Sequence, residues 1–313
     1  MAAETPRHLA QNPFQDLSGI DTSKFSNPYD ALLEASDNSS TQLQARYSTH
    51  RSTRNAQQKE KLLSSDFQGV IIDPILSQIE ASKSTELSFE DPRHCLVFWG
   101  RPEEHIRTLI GIVQDKLKEF APNMWVMPRE NLHITILEIT HSKTAEEIEV
   151  LKGQIAGVAE WVVNYTKTGA GRKARLIKPM IGFDASALAL SFVPAASAEG
   201  DEFSYHHLRR DVYEIVSGAG VKVDSRYVVP SAHLTIGRFI TRDDFAGEDG
   251  QVDREKMSKF VGKIEEVNRW LEEEYWGDEG QGGWTVGEGD GIVLRWGTVW
   301  YGGGHTMAQT TKS

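Results

Sequence analysis

The sequence predicts an α+β fold of two pseudo-symmetric lobes, each running strand–helix–strand–helix–strand beside a shared central cleft. Three observations predict it. Hydrophobic periodicity alternates between strand and helix spacing over residues 91–184, and the same order of elements recurs over residues 185–301. An aromatic-Val-X-Pro tetrapeptide occurs twice, as Trp125-Val126-Met127-Pro128 and Tyr227-Val228-Val229-Pro230. Each copy precedes an alternating apolar run that carries His-x-Thr: His133-Ile134-Thr135 and His233-Leu234-Thr235. A repeat of this kind predicts similar units related by a pseudo-twofold.

The elements follow in order. Residues 1–60 are rich in Ser, Thr, Asn and Gln and carry little apolar surface to offset the cost of ordering. They read as a mostly disordered polar arm with one short helix near residues 29–35. Residues 61–90 read as a linker with a docking helix that starts at Pro74, where the missing N–H costs nothing. In the first lobe, residues 94–99 form a short apolar strand. Pro102 opens a helix striped by Ile106, Leu109, Ile110, Val113, Leu117 and Phe120. The first motif strand covers residues 132–139. Thr144 and Glu147 form a capping-box pattern at the head of the next helix, and residues 174–183 close the lobe as a strand. The second lobe repeats this with strand 187–193, helix 202–216, motif strand 232–240, a helix containing Met257 to Leu271, and strand 292–301. Residues 302–313 read as a disordered tail.

Composition narrows the function. The chain has 313 residues, 39% of them apolar, and a formal net charge of −11. An acidic chain is poorly suited to non-specific DNA or membrane-surface binding, which requires clustered Lys and Arg. A local site for a small nucleotide or an RNA end remains compatible with it. The single cysteine, Cys95, forms no internal disulfide, and no Cys/His spacing suits zinc. No cofactor or metal is therefore expected. The first ten residues lack a signal-peptide pattern, and no apolar run approaches a membrane span. A cytoplasmic or nuclear monomer is the expectation.

The two motifs carry the chemistry. Side chains alternate along a strand, so His133 and Thr135 share one face while Leu132, Ile134 and Ile136 take the other. His233 and Thr235 do the same against Leu234 and Ile236. Histidine titrates near neutrality, so one imidazole can take a proton from water while the other gives one to a leaving oxygen. Threonine hydroxyls can donate to non-bridging phosphate oxygens. A single His-x-Thr would carry little weight. Two copies at equivalent places in a repeated topology carry much more, against the alternative that both are ordinary half-buried strand residues.

On these residues the sequence resembles the two-histidine phosphoesterase superfamily, the RNA ligase/cyclic nucleotide phosphodiesterase fold. Its paired H-x-T/S-x motifs correspond to His133-Ile134-Thr135-Ile136 and His233-Leu234-Thr235-Ile236. The resemblance covers about residues 91–301. It implies antiparallel sheets flanking the cleft and activity on 2′,3′-cyclic phosphates of nucleotides or RNA ends, on related cyclic phosphates or on a 3′ RNA terminus; the two histidines point to hydrolysis without a metal. The 100-residue spacing of the motifs and the acidic insertion at residues 243–253 depart from compact members.

Two other readings compete. One is a 3′ RNA-end exonuclease of the same fold, which the excess of acidic residues beyond residue 86 disfavours. The other is a non-catalytic module that binds a nucleotide phosphate, which has no need of two proton-transfer groups. Trp125 and Tyr227 are candidate substrate-stacking residues, with core packing as the competing role. Arg238 lies opposite in phase to Thr235 and is not expected at the phosphate. His105, His206 and His207 fall on predicted helices and are read as solvated or structural.

Overall fold

The computed structural model describes residues 17–83, 89–169, 172–196, 201–225 and 228–311. In chain order the elements are α1 (Asp30–Glu34), α2 (Ser40–Leu63), α3 (Pro74–Ser82), β1 (His94–Gly100), α4 (Glu104–Lys118), β2 (Trp125–Val126), β3 (Ile134–Lys143), α5 (Ala145–Val163) and β4 (Ala174–Phe183). They continue as β5 (Ala187–Pro194), α6 (Tyr205–Gly218), β6 (Ala232–Arg238), α7 (Arg254–Tyr275), α8 (Glu279–Gly282), β7 (Trp284–Val286), β8 (Ile292–Gly297) and β9 (His305–Gln309). The fold is α+β, with two antiparallel sheets.

One sheet has the order β3-β1-β8-β9 and the other β2-β6-β5-β4-β7. The triplets β3-β1-β8 and β6-β5-β4 are equivalent under the expected pseudo-twofold. The last strand of each half crosses over: β4 joins the sheet of the second half and β8 that of the first. The lobes are therefore interleaved, which corrects the division at residues 184 and 185. The helices exchange as well. α4 packs with α7 and β6, while α6 packs with α5 and β3. Most of the buried apolar side chains form one continuous core, including Leu109 and Val113 of α4, Ile155 of α5, Leu208 of α6 and Ile264 of α7.

The polar arm carries the expected short helix as α1 but is otherwise ordered where disorder was expected; residues 1–16 lie outside the described residues. α2 is a helix of 24 residues. Its Ser39 N-cap accepts from the Gln42 N–H at 3.3 Å, and its Ala, Gln, Arg and Lys content favours helix. Its anchoring is sparse and partly polar. Leu43 and Tyr47, one turn apart, are buried. The Tyr47 hydroxyl donates to His206 Nδ1 at 2.8 Å, and His206 Nε2 donates to the Tyr29 carbonyl at 2.9 Å. Arg51 donates to the Lys178 carbonyl at 2.6 Å, and Asn55 to that of Ile181 at 2.8 Å. Hydrogen bonds to sheet carbonyls do here what an apolar stripe does elsewhere, so composition alone concealed the docking.

The expected tail is corrected too. β9 pairs with the length of β8 from Val293 to Trp296. Gly297, Gly302 and Gly304, with φ of 93°, 97° and 74°, turn the chain back between them. A Cβ on Gly302 would also collide with the Asn131 side chain. α3 starts at Pro74 as expected, and its Asp73 N-cap accepts from the Leu76 N–H.

Candidate active site

The site begins at two β-bulges. Along β3, Thr135 pairs with Trp99 and Leu137 with Phe98, which leaves Ile136 as the extra residue. Along β6, Thr235 pairs with Ala189 and Gly237 with Leu188, which leaves Ile236 as the extra residue. A bulge inserts one residue and resets which face the following side chains take. The carbonyls of both bulge residues take side-chain donors, Ile236 in addition to the Met127 N–H at 3.0 Å.

Those partners form a pseudo-symmetric cross-brace. Gln114 of α4 donates to the carbonyls of both Met127 and Ile236, at 2.9 Å each. Arg209 of α6 donates to Ile136 at 3.2 Å and to Val229 at 3.0 Å. Met127 and Val229 are the X positions of the two aromatic-Val-X-Pro segments. Each half thus ties the chain before its own motif to the bulge of the other. Tyr205 adds a hydrogen bond to the Thr135 carbonyl at 2.6 Å. The Arg209 guanidinium is buried and also donates to the Tyr29 hydroxyl at 3.2 Å.

The brace brings both motifs to one place. His133, Thr135, His233 and Thr235 all line a single cavity of about 60 Å³, together with Cys95, Val97, Trp99, Met127, Glu138, Arg238, Val299 and Trp300. All four motif side chains are half-buried. His133 immediately precedes β3; its ring stacks on Trp99 with centroids 3.6 Å apart and planes 13° from parallel. Its Nδ1–H donates to the Asn131 carbonyl at 2.7 Å. A carbonyl only accepts, so the neutral ring keeps its lone pair on Nε2. His233 Nδ1 lies 2.9 Å from the Ser231 hydroxyl, which suits either tautomer.

Both imidazoles are strongly biased toward the neutral form. Burial depresses the pKa of His133 to about 3, the bond to Asn131 opposes the shift, and Arg101, His233 and Arg295 add to it. Burial depresses His233 to about 4, with Arg54, Arg209, His50 and Arg238 adding positive charge. The nearby arginines thus act on both imidazoles in the same direction as burial.

Arg238 corrects the sequence expectation. The bulge at Ile236 turns it onto the motif face, where it lines the cavity. It is 3.5 Å from Asp73 and 5.8 Å from the Tyr301 ring centroid. Glu138 is its counterpart in β3, placed in the cavity by the bulge at Ile136. Trp99 and Trp300 are the aromatic rings that line the cavity. Trp300 lies beyond β8, and its Nε1–H approaches Cys95 Sγ at 2.8 Å. Trp125 is not among the lining residues: its ring meets Tyr301 edge-on, and its N–H donates to Glu80 at 3.1 Å. Tyr227 lies outside the described residues. His206 is buried in the core as a structural residue.

Among the described residues, no group of three or more His, Cys, Asp or Glu side chains is disposed to hold a metal ion. No described helix is long and apolar enough to cross a membrane. No protein-family model matches the sequence, and no curated protein matches it significantly. Among solved structures, TT0787 of Thermus thermophilus is similar at 18% identity, over 47% of this chain and 75% of that one, with a TM-score of 0.32. A likeness that loose carries no functional argument.

Proposed function

We propose that the protein is a two-histidine phosphodiesterase that hydrolyses 2′,3′-cyclic phosphates of nucleotides or RNA ends without a metal. The observation that carries this reading is the convergence of His133, Thr135, His233 and Thr235 on one cavity. Two proton-transfer groups and two hydroxyl donors around one small space suit in-line displacement at phosphorus.

The hydrogen bonds suggest the division of labour. His133, held by Asn131 with Nε2 as acceptor, takes the proton of the attacking water. The water oxygen bonds to phosphorus, one ring P–O bond breaks, and protonated His233 delivers its proton to the leaving oxygen. The product is a phosphomonoester. Thr135 and Thr235 donate to the non-bridging oxygens. The phosphodiester anion favours the protonated state of His233, offsetting the burial and the arginines that depress its pKa.

The test is incubation with a nucleoside 2′,3′-cyclic phosphate in EDTA, with product analysis. Appearance of a single phosphomonoester supports the reading. Loss of turnover in EDTA with recovery on Mn²⁺ or Zn²⁺, or no turnover at all, contradicts it.

A further inference from the structure

A second cavity, of about 190 Å³, shares His233, Thr235, Arg238 and Trp300 with the first. It opens on the His233 side only, so it breaks the pseudo-twofold. Its far wall comes from α2, which lies outside the region that carries the motifs: His50, Arg51, Arg54 and Asn55 line it. The opposite wall is β4, β5 and the turn between them.

Its chemistry is specific. The lining includes three arginines, Arg51, Arg54 and Arg238, against one carboxylate, Asp184. Asp184 is engaged twice over: Oδ2 takes Arg54 at 2.7 Å, and Oδ1 accepts from the Ser186 hydroxyl and from the N–H groups of Ser186 and Ala187. The lining thus carries more guanidinium groups than carboxylates in a chain of net charge −11, with Arg238 also facing Asp73 from outside it at 3.5 Å. Phe183, Leu188, Val229 and Trp300 supply apolar surface beside it. Apolar walls next to guanidinium groups suit a nucleoside that bears a further phosphate.

We infer that this cavity is a subsite, built by α2, for a second phosphate on the nucleotide whose cyclic phosphate lies between the histidines. The inference rests on the reading above and deepens it: the preferred substrate is a nucleotide extended through phosphate, as at an RNA end, rather than a nucleoside cyclic monophosphate. Arg54 is its specificity residue. It reaches across from α2 to Asp184 on the opposite wall.

The experiment is a binding titration on the full chain with adenosine 3′-monophosphate and adenosine 3′,5′-bisphosphate. The intact protein is expected to bind the bisphosphate roughly tenfold or more tightly, the worth of one charge-assisted contact. Arg54→Gln should erase that preference and leave the monophosphate affinity within about twofold. Gly182→Leu supplies an independent check. A Cβ at Gly182 meets nothing nearer than Asn55 Oδ1 at 3.6 Å, so the backbone admits a side chain there, and a leucine occupies cavity space while removing no charged group. It too should abolish the preference. Equal or absent binding of both ligands by the intact protein overturns the inference, as does Arg54→Gln weakening both alike. A bisphosphate preference without turnover of any cyclic phosphate would keep the subsite and reject the hydrolase.

Discussion

Arg209→Met removes the larger half of the cross-brace with little change in side-chain volume. The buried guanidinium donates three hydrogen bonds, to the carbonyls of Ile136 and Val229 and to the Tyr29 hydroxyl. Hydrogen bonds from charged groups contribute about 1.5–3 kcal/mol each. Their loss takes the side-chain donor from the Ile136 carbonyl, whereas Val229 keeps the Ser231 N–H at 2.8 Å, and removal of a buried charge recovers part of the desolvation cost. The balance is a destabilisation of about 3–5 kcal/mol, measured by urea denaturation. Gln114→Leu removes two neutral bonds made by one amide and should cost about 1–3 kcal/mol. Both variants should also lose turnover under conditions where they remain folded, because the bulges aim the motifs and small displacements are costly. An Arg209→Met variant within about 1 kcal/mol of the parent would refute the brace as the device that holds the two bulges.

Three further outcomes are expected. The pH profile of kcat/KM should be bell-shaped with its maximum well below pH 6.5, because His133 and His233 have pKa values of about 3 and about 4 and one must be protonated; a maximum at or above pH 7 would count against the assigned pair. Folding stability should rise with pH. His133, His206 and His233 are all depressed by burial, so the unfolded chain binds protons first. The contribution is complete above the unfolded pKa of about 6.5 and falls by up to about 1.4 kcal/mol per pH unit per group as acid is added, which denaturation at pH 7 and pH 5 would reveal. Thr135→Ala and Thr235→Ala should each lower kcat by roughly one to three orders of magnitude, and unchanged kinetics in both would remove the hydroxyls from the site.

Much of this arrangement was legible in the sequence, for identifiable reasons. The repeated order of elements and the two His-x-Thr motifs are periodic local patterns, and local periodicity survives into the fold. β4 and α3 begin where the pattern placed them. The strand crossover was not legible, because nothing in the sequence of β4 or β8 says which sheet each strand will join. Arg238 and Glu138 were missed because strict alternation assumes an unbroken strand. Their signal is weak: Gly237 follows Ile236 at the second bulge, whereas Leu137 follows Ile136 at the first. α2 was missed because it docks through Tyr47, Arg51 and Asn55 more than through an aliphatic stripe. Aromatic-Val-X-Pro marked the motifs correctly, but its useful atoms are backbone carbonyls, which a sequence does not display. For that reason the sequence displays Trp125 beside the motif but gives no sign of the roles of Gln114 and Arg209.

The central claim, that His133 and His233 act together on one phosphate, is tested most directly by the single and double alanine variants assayed on a nucleoside 2′,3′-cyclic phosphate. Each single variant should lose turnover by about 10² to 10⁴. The double variant should be little worse than the poorer single, because groups acting as a unit are not additive. Folding of all three should be confirmed by denaturation, since His133 also stacks on Trp99 and bonds to Asn131. A folded His133→Ala or His233→Ala variant that keeps near-full activity would contradict the account.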